Sequence, residues 1–168
     1  MKVVTFTVGY REYAVDVEQI REVIRLPEIV PIPDVPYWVE GIMDLRAEVI
    51  PVISLRKKLG LEDGDRPTMN RILIAHRPHR PFGLVVDMVT GVIPVSAENL
   101  SRIDDLLNPV GYLKTVARIG NRLLPMLDLP SMLSDTEAGQ ITAAGEGARV
   151  PAWDDPTSTP LQRDEETT

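Results

Sequence analysis

Apolar and polar residues alternate at the start of the chain. Over Lys2–Val8, Val4, Phe6 and Val8 fall on one side and Thr5 and Thr7 on the other. That period of two predicts a strand. Gly9-Tyr10-Arg11-Glu12 supplies a turn into a second strand, Tyr13–Val17. The spacing then changes: Ile20, Val23 and Ile24 recur at i, i+3, i+4 behind Asp16 and Glu18. This predicts a short helix over 18–24, capped by Asp16 or its neighbour. Pro27, Pro31 and Pro33 forbid a central ladder strand and enforce an edge or polyproline path. Pro36–Gly41 reads as one helical turn, with Asp34 near its start and Gly41 just past its end.

Further on, 42–45 and 48–55 read as strands around a tight corner at Arg46-Ala47, followed by a helical turn over 56–59 and a polar loop over 60–67. Met69–His76 and Phe82–Val89 form a predicted hairpin joined by Arg77-Pro78-His79-Arg80-Pro81. Val92–Val95 is a short strand, Ser96–Leu100 a helical start capped by Ser96, and 106–112 a loop. Leu113–Ile119 and Leu123–Leu127 flank Gly120-Asn121-Arg122 as a second hairpin. Leu129–Leu133 closes this body as a short helix. About nine or ten short strands with scraps of helix define an all-β chain, a barrel or a sandwich.

The 168 residues are 43% apolar and 26% charged, a globular composition with room for one ordinary domain or two very small ones. No apolar run spans a bilayer, no secretory signal opens the chain, and the lack of cysteine suits a reducing cytoplasm. The net charge of −7 is uneven: residues 134–168 carry −6 and residues 1–133 only −1. A near-neutral body argues against a nucleic-acid surface. The acidic end is rich in Thr, Ala, Gly and Pro and has no apolar period, so 1–135 is the expected folded region and 136–168 a flexible tail. Its lone aromatic, Trp153, is either solvated or docked on a partner.

Catalytic chemistry is missing. No phosphate-cradling glycine loop and no nucleophile elbow occurs. His76 and His79 lack an evident third ligand, so no metal site is expected, and no cofactor. Asp16, Asp87 and Asp128 each follow an apolar strand; caps and turn acceptors are the expected roles, against paired catalytic carboxylates. Arg56-Lys57-Lys58 is expected to be a solvated helical face.

Two runs stand out: Asp44–Leu55, with Val49-Ile50-Pro51-Val52-Ile53 at its centre, and Phe82–Val89. Both are apolar at consecutive positions, whereas a strand buried on one face shows alternation. The second face is therefore covered, by another barrel or by another protein. Pro51 within its strand predicts an edge or bulge where a partner approaches.

Across 1–133 these segments resemble the CheW family of chemotaxis coupling proteins. The likeness rests on Tyr13–Val17, Ile20–Ile24, Pro31-x-Pro33-x-x-Pro36, Gly41-Ile42, Leu45-Arg46, Val49–Val52 and Gly83–Asp87, in that order and spacing. The resemblance implies two small five-stranded SH3-like barrels packed around an apolar groove. It implies a non-catalytic adaptor in the cytoplasm, recruited to membrane-associated arrays, that bridges the cytoplasmic tip of methyl-accepting chemoreceptors and a CheA-type histidine kinase. By the same resemblance Arg46 takes part in coupling, Ile20 and Glu22 face the receptor, and Leu84, Val86 and Val89 line the groove or the kinase contact.

The sequence departs from the family pattern at Asp44 and Ala47, where Asn and Gly are usual, and at Ser54 in place of Asp. If the glycine position requires positive φ, Ala47 costs about 1 kcal/mol or forces a different corner. These departures and the acidic end point to a paralogue, serving a pilus or another alternative chemosensory system.

Overall fold

The computed structural model describes residues 1–61, 70–77, 80–103, 111–134, 137 and 140–141. Eleven strands are named among them: β1 Lys2–Val8, β2 Arg11–Asp16, β3 Ile20–Arg25, β4 Val39–Leu45, β5 Glu48–Ser54, β6 Arg71–Ala75, β7 Gly83–Val86, β8 Met88–Pro94, β9 Leu100–Arg102, β10 Leu113–Ile119 and β11 Arg122–Leu127. Helix α1 is a single turn, Leu55–Lys58. The strands form two sheets, ordered β8-β1-β2-β11-β10-β9 and β3-β6-β7-β5-β4. The first therefore has six strands where five were expected, because the three-residue β9 adds to the edge of β10.

Each sheet curls around its own small core. Val3, Ala14, Val95, Ala117, Leu124 and Met126 fill the first; Met43, Ile50, Val52, Ile72, Ile74 and Val85 fill the second. A third, larger cluster joins the outer faces of the two, with Phe6, Val8, Tyr13 and Val15 against Ile53, Leu73, Leu84 and Val86. Successive residues of β7 make the arrangement plain: Leu84 and Val86 enter the shared cluster, and Val85 enters the barrel interior. The continuous apolar runs are thus buried on both faces within this one chain, and another barrel covers them. Leu84 and Val86, expected at a partner contact, are fully enclosed core residues; Val89 is half-buried against the same cluster. Pro51 is also buried, in a strand flanked by β4 and β7, just before the pairing with β7 begins at Val52.

The predicted helix over 18–24 is not formed. Asp16 does cap a single tight helical turn, Val17–Gln19, by accepting from Glu18 N at 3.0 Å, but strand β3 starts at Ile20. The register of β3 against β6 slips between Ile20 and Glu22. This bulge shifts the parity of the strand. Ile20 consequently packs on the shared cluster and Ile24 on the interior of the second barrel, although an even spacing would put both on one face. Pro36–Gly41 is one turn closed by Val39 N on Pro36 O at 2.9 Å, after which Gly41 lies inside β4. Its φ of 145° and the carbonyl of Val30, which a Cβ would meet at 2.1 Å, admit only glycine there.

The charged run on α1 is not a solvated face. Arg56 pairs with Asp87, which also accepts Gly9 N at 2.8 Å; Lys57 reaches Glu40 at 3.4 Å; Lys58 Nζ sits 3.6 Å above the Trp38 ring. Ser54 caps this helix, accepting Lys57 N at 3.1 Å. Ser96 precedes the turn Ala97–Asn99, but its Oγ takes the Asn99 side chain in place of a backbone amide. His76 is exposed; His79, the loop over 106–110 and most of 60–67 lie outside the described residues.

Ser134 and Glu137 form a reciprocal capping box, Ser134 N donating to Glu137 Oε1 and Glu137 N to Ser134 Oγ, each at 3.0 Å. Glu137, Gln140 and Ile141 are helical, and Ile141 is only 4% exposed within the shared cluster. An isolated isoleucine in a Thr/Ala/Gly stretch has no partner to set a period, so this contact leaves no mark in the hydrophobic pattern. Trp153 lies outside the described residues.

Candidate docking surface

Arg46 and Ala47 form the two-residue corner between β4 and β5, where Leu45 pairs with Glu48. Both have positive φ, 51° and 69°, as a type I′ turn requires. Asp44 supports the turn by accepting Ala47 N at 2.8 Å. The corner therefore keeps its tight geometry with alanine in place of glycine, and it presents the Arg46 side chain 67% exposed.

Glu22 receives that guanidinium. It also lies 3.6 Å from Arg21 Nε, and Arg21 Nη1 is 3.5 Å from Glu48 Oε1. These four charges stitch the β4–β5 corner to β3; β3 and β4 are the two outermost strands of the same curled sheet. Arg46 and Glu22, twenty-four residues apart, are thereby brought into one patch; Ile20, on the far side of the bulge, is half-buried against the shared cluster. Leu84 and Val86 are not part of it. Sequence reasoning missed Arg21, Glu48 and the exposed Val23, because it took 18–24 for a helix, whereas exposure along β3 alternates with a period of two. The alternation of Arg21, Val23 and Arg25 is the signal that a strand reading would have used.

Asp16, Asp87 and Asp128 all act as acceptors: Asp128 holds Gln19 Nε2 at 2.9 Å and the Ser131 hydroxyl. Asp16, Asp128, Arg102 and Lys114 line a cleft of about 290 Å³ at one end of the first barrel. Its two carboxylates are already engaged by the turns beside them. The shifted groups lie elsewhere, at the junction of the barrels. Burial lowers the pKa of Lys58 against the opposing pull of Glu137, and burial raises those of Tyr13 and Tyr112. Lys58 faces Trp38 and, at 5.8 Å, Tyr112, so one cation spans aromatic rings from both halves.

The CheW-like domain model matches residues 2–137. The chain is 32% identical to the chemotaxis protein CheW of Treponema pallidum over 143 residues, covering 81% of this chain and 84% of that one. The crystal structure of the scaffolding protein TtCheW from Thermoanaerobacter tengcongensis superimposes with a TM-score of 0.72 at 26% identity, over 81% of this chain and 95% of that chain. A shorter likeness, 29% over 108 residues, links it to protein PilI of Pseudomonas aeruginosa, covering 62% of this chain and 61% of that one. Two SH3-like barrels, matched along nearly their whole length, make this chain a member of the CheW-like family.

Proposed function

We propose that this chain is a non-catalytic scaffold of bacterial chemosensory signalling, joining the cytoplasmic tips of chemoreceptors to a CheA-type histidine kinase. The carrying observation is the span of the family match, which takes in both barrels and the core between them. A scaffold needs a rigid body and at least one presented patch, and both are present. Two-faced burial of the central strands gives the rigidity. The patch of Ile20, Glu22 and Arg46 is the receptor-facing surface, with the arginine fork offered to a carboxylate of a helical partner. Val89, half-buried on β8, remains a candidate kinase contact at the rim of the shared cluster. Among the described residues no helix is long and apolar enough to cross a membrane.

Co-sedimentation with receptor and kinase fragments tests the reading. The unaltered chain is expected to bind both, and Arg46→Glu to lose the receptor fragment with its melting temperature nearly unchanged. Failure to bind either fragment would overturn the role. The likeness to PilI supports a second reading, recruitment within another chemosensory system. Kinase binding without receptor binding would favour it.

A further inference from the structure

Strand β3 carries a charge pattern that its own sheet leaves unanswered. Arg25 lies directly across from Arg71 on β6, and like charges directly opposed in an antiparallel pair repel. Arg71 donates to the neighbouring Asn70 carbonyl at 3.0 Å. Among the described residues the ion pairs of β3 involve Arg21 and Glu22, and neither Arg25 nor Arg71 meets a carboxylate. Beside these cations stand two large apolar residues open to solvent, Val23 at 41% and Leu26 at 38%. Aliphatic groups next to paired guanidinium forks suit a short segment that joins one large apolar side chain to adjacent acids.

The chain itself contains such a segment. Val150-Pro151-Ala152-Trp153-Asp154-Asp155 sets an indole against two successive carboxylates, and residues 142–168 carry a net −4. Trp153 is twelve residues past Ile141, the last described position. An extended chain covers roughly 40 Å over that interval, about the width of a body of this size. Ile141 and Ile20 of β3 pack on the same shared cluster, so a tether of that length reaches β3. We infer that Trp153-Asp154-Asp155 docks in cis on the face formed by Val23, Arg25 and Arg71. The indole covers Val23 and the carboxylates pair with the two arginines. Ile20 and Glu22 lie on the same strand, so a docked tail competes with a partner for β3. That competition rests on the docking role proposed above; the intramolecular contact does not.

Fluorine NMR of the full chain labelled with fluorotryptophan reads the contact directly, since Trp38 and Trp153 are the only tryptophans. The Trp153 resonance is expected to be displaced from its position in the urea-unfolded chain. The displacement should vanish in Arg25→Glu/Arg71→Glu and return when Asp154→Arg/Asp155→Arg is added, with the Trp38 resonance unmoved throughout as the sign of an intact fold. The tail changes alone should also abolish it without touching either sheet. A Trp153 resonance at its unfolded position in the unaltered chain would overturn the proposal. So would a displacement indifferent to the arginines, or one that disappears on dilution and so belongs to a second copy. Receptor-fragment affinity that rises several-fold in Asp154→Arg/Asp155→Arg supports the competition; unchanged affinity with the displacement lost removes the competition alone.

Discussion

Replacing Ala47 by glycine should stabilise this protein, against the usual direction of a substitution. Ala47 has φ of 69° and follows Arg46 at 51°. Holding an L-residue in the left-handed region costs roughly 1–2 kcal/mol through the approach of Cβ to the carbonyl oxygen. Glycine escapes that cost but loses more backbone freedom on folding, which returns about 0.4–1 kcal/mol. The net expectation is a gain of about 0.5–1 kcal/mol, or a rise in Tm of roughly 1–4 °C for a chain of this length. The turn itself is retained, because Asp44 still accepts the amide of residue 47. Arg46→Gly is the control: it relieves a similar strain but deletes the pair with Glu22. With Arg46 67% exposed, that pair is worth about 0–1 kcal/mol, so the gain should be smaller. Thermal melts and urea midpoints at unchanged m-value read both. An Ala47→Gly chain that melts at or below the parent temperature would refute the left-handed corner, and with it the presented geometry of Arg46.

Ile141→Ala should cost about 2–3 kcal/mol by urea denaturation, from a nearly fully buried isoleucine near the described end of the body, whereas the exposed Gln140→Ala should stay within about 0.5 kcal/mol; equal effects would mean that Ile141 is not anchored. Val86→Asp should leave no cooperatively folded product, since it places a carboxylate at a site with 1% exposure, and a parent-like melt would contradict the shared core. Above the ordinary tyrosine value of 10.0 the chain should lose stability as pH rises through the raised values of Tyr13 and Tyr112, because only their neutral forms suit burial. Lys58 acts in the opposite sense, its lowered value giving a gain as pH climbs toward 10.5. Urea midpoints across this alkaline range should therefore fall less in Tyr112→Phe, and an identical fall would exclude the phenol.

Local chemistry was legible at several positions where a single interaction decides the backbone, though not at Ser96. The first hairpin, the Gly120-Asn121 turn and the Asp16 cap all stand where alternation and turn residues place them. The helix over 18–24 was misread for a specific reason. A bulge at Arg21 inserts one residue into β3, so Ile20, Val23 and Ile24 mimic a helical spacing while facing different surroundings. Ile141 was invisible because one buried residue establishes no period. Of the proposed docking surface, Arg46, Glu22 and Ile20 were named through resemblance, but the meeting of Arg46 with Glu22 was not legible. It depends on the curl that brings β3 to the β4–β5 corner, a long-range consequence of sheet closure.

The consecutive apolar runs teach a narrower lesson about reading interfaces. Doubly covered strands indicate that something lies on each face, and they leave open whether it is the same chain. Here the second barrel supplies the cover, with Leu84 and Val86 on one side of β7 and Val85 on the other. The partner surface must then be sought where the two-barrel body stops covering a strand. Strand β3 meets that condition. Its neighbour Leu73 is fully buried in the shared cluster, while Val23, paired to Leu73 across the sheet, remains 41% exposed. Val23, Arg25 and the Glu22–Arg46 pair therefore mark the margin of the shared core, where apolar area and unspent charge coincide. A surface Val23→Asp should leave the melt nearly unchanged and weaken partner binding, the separation that Val86→Asp cannot give. If Val23→Asp bound receptor and kinase fragments as tightly as the parent, the margin at β3 would not be the docking surface.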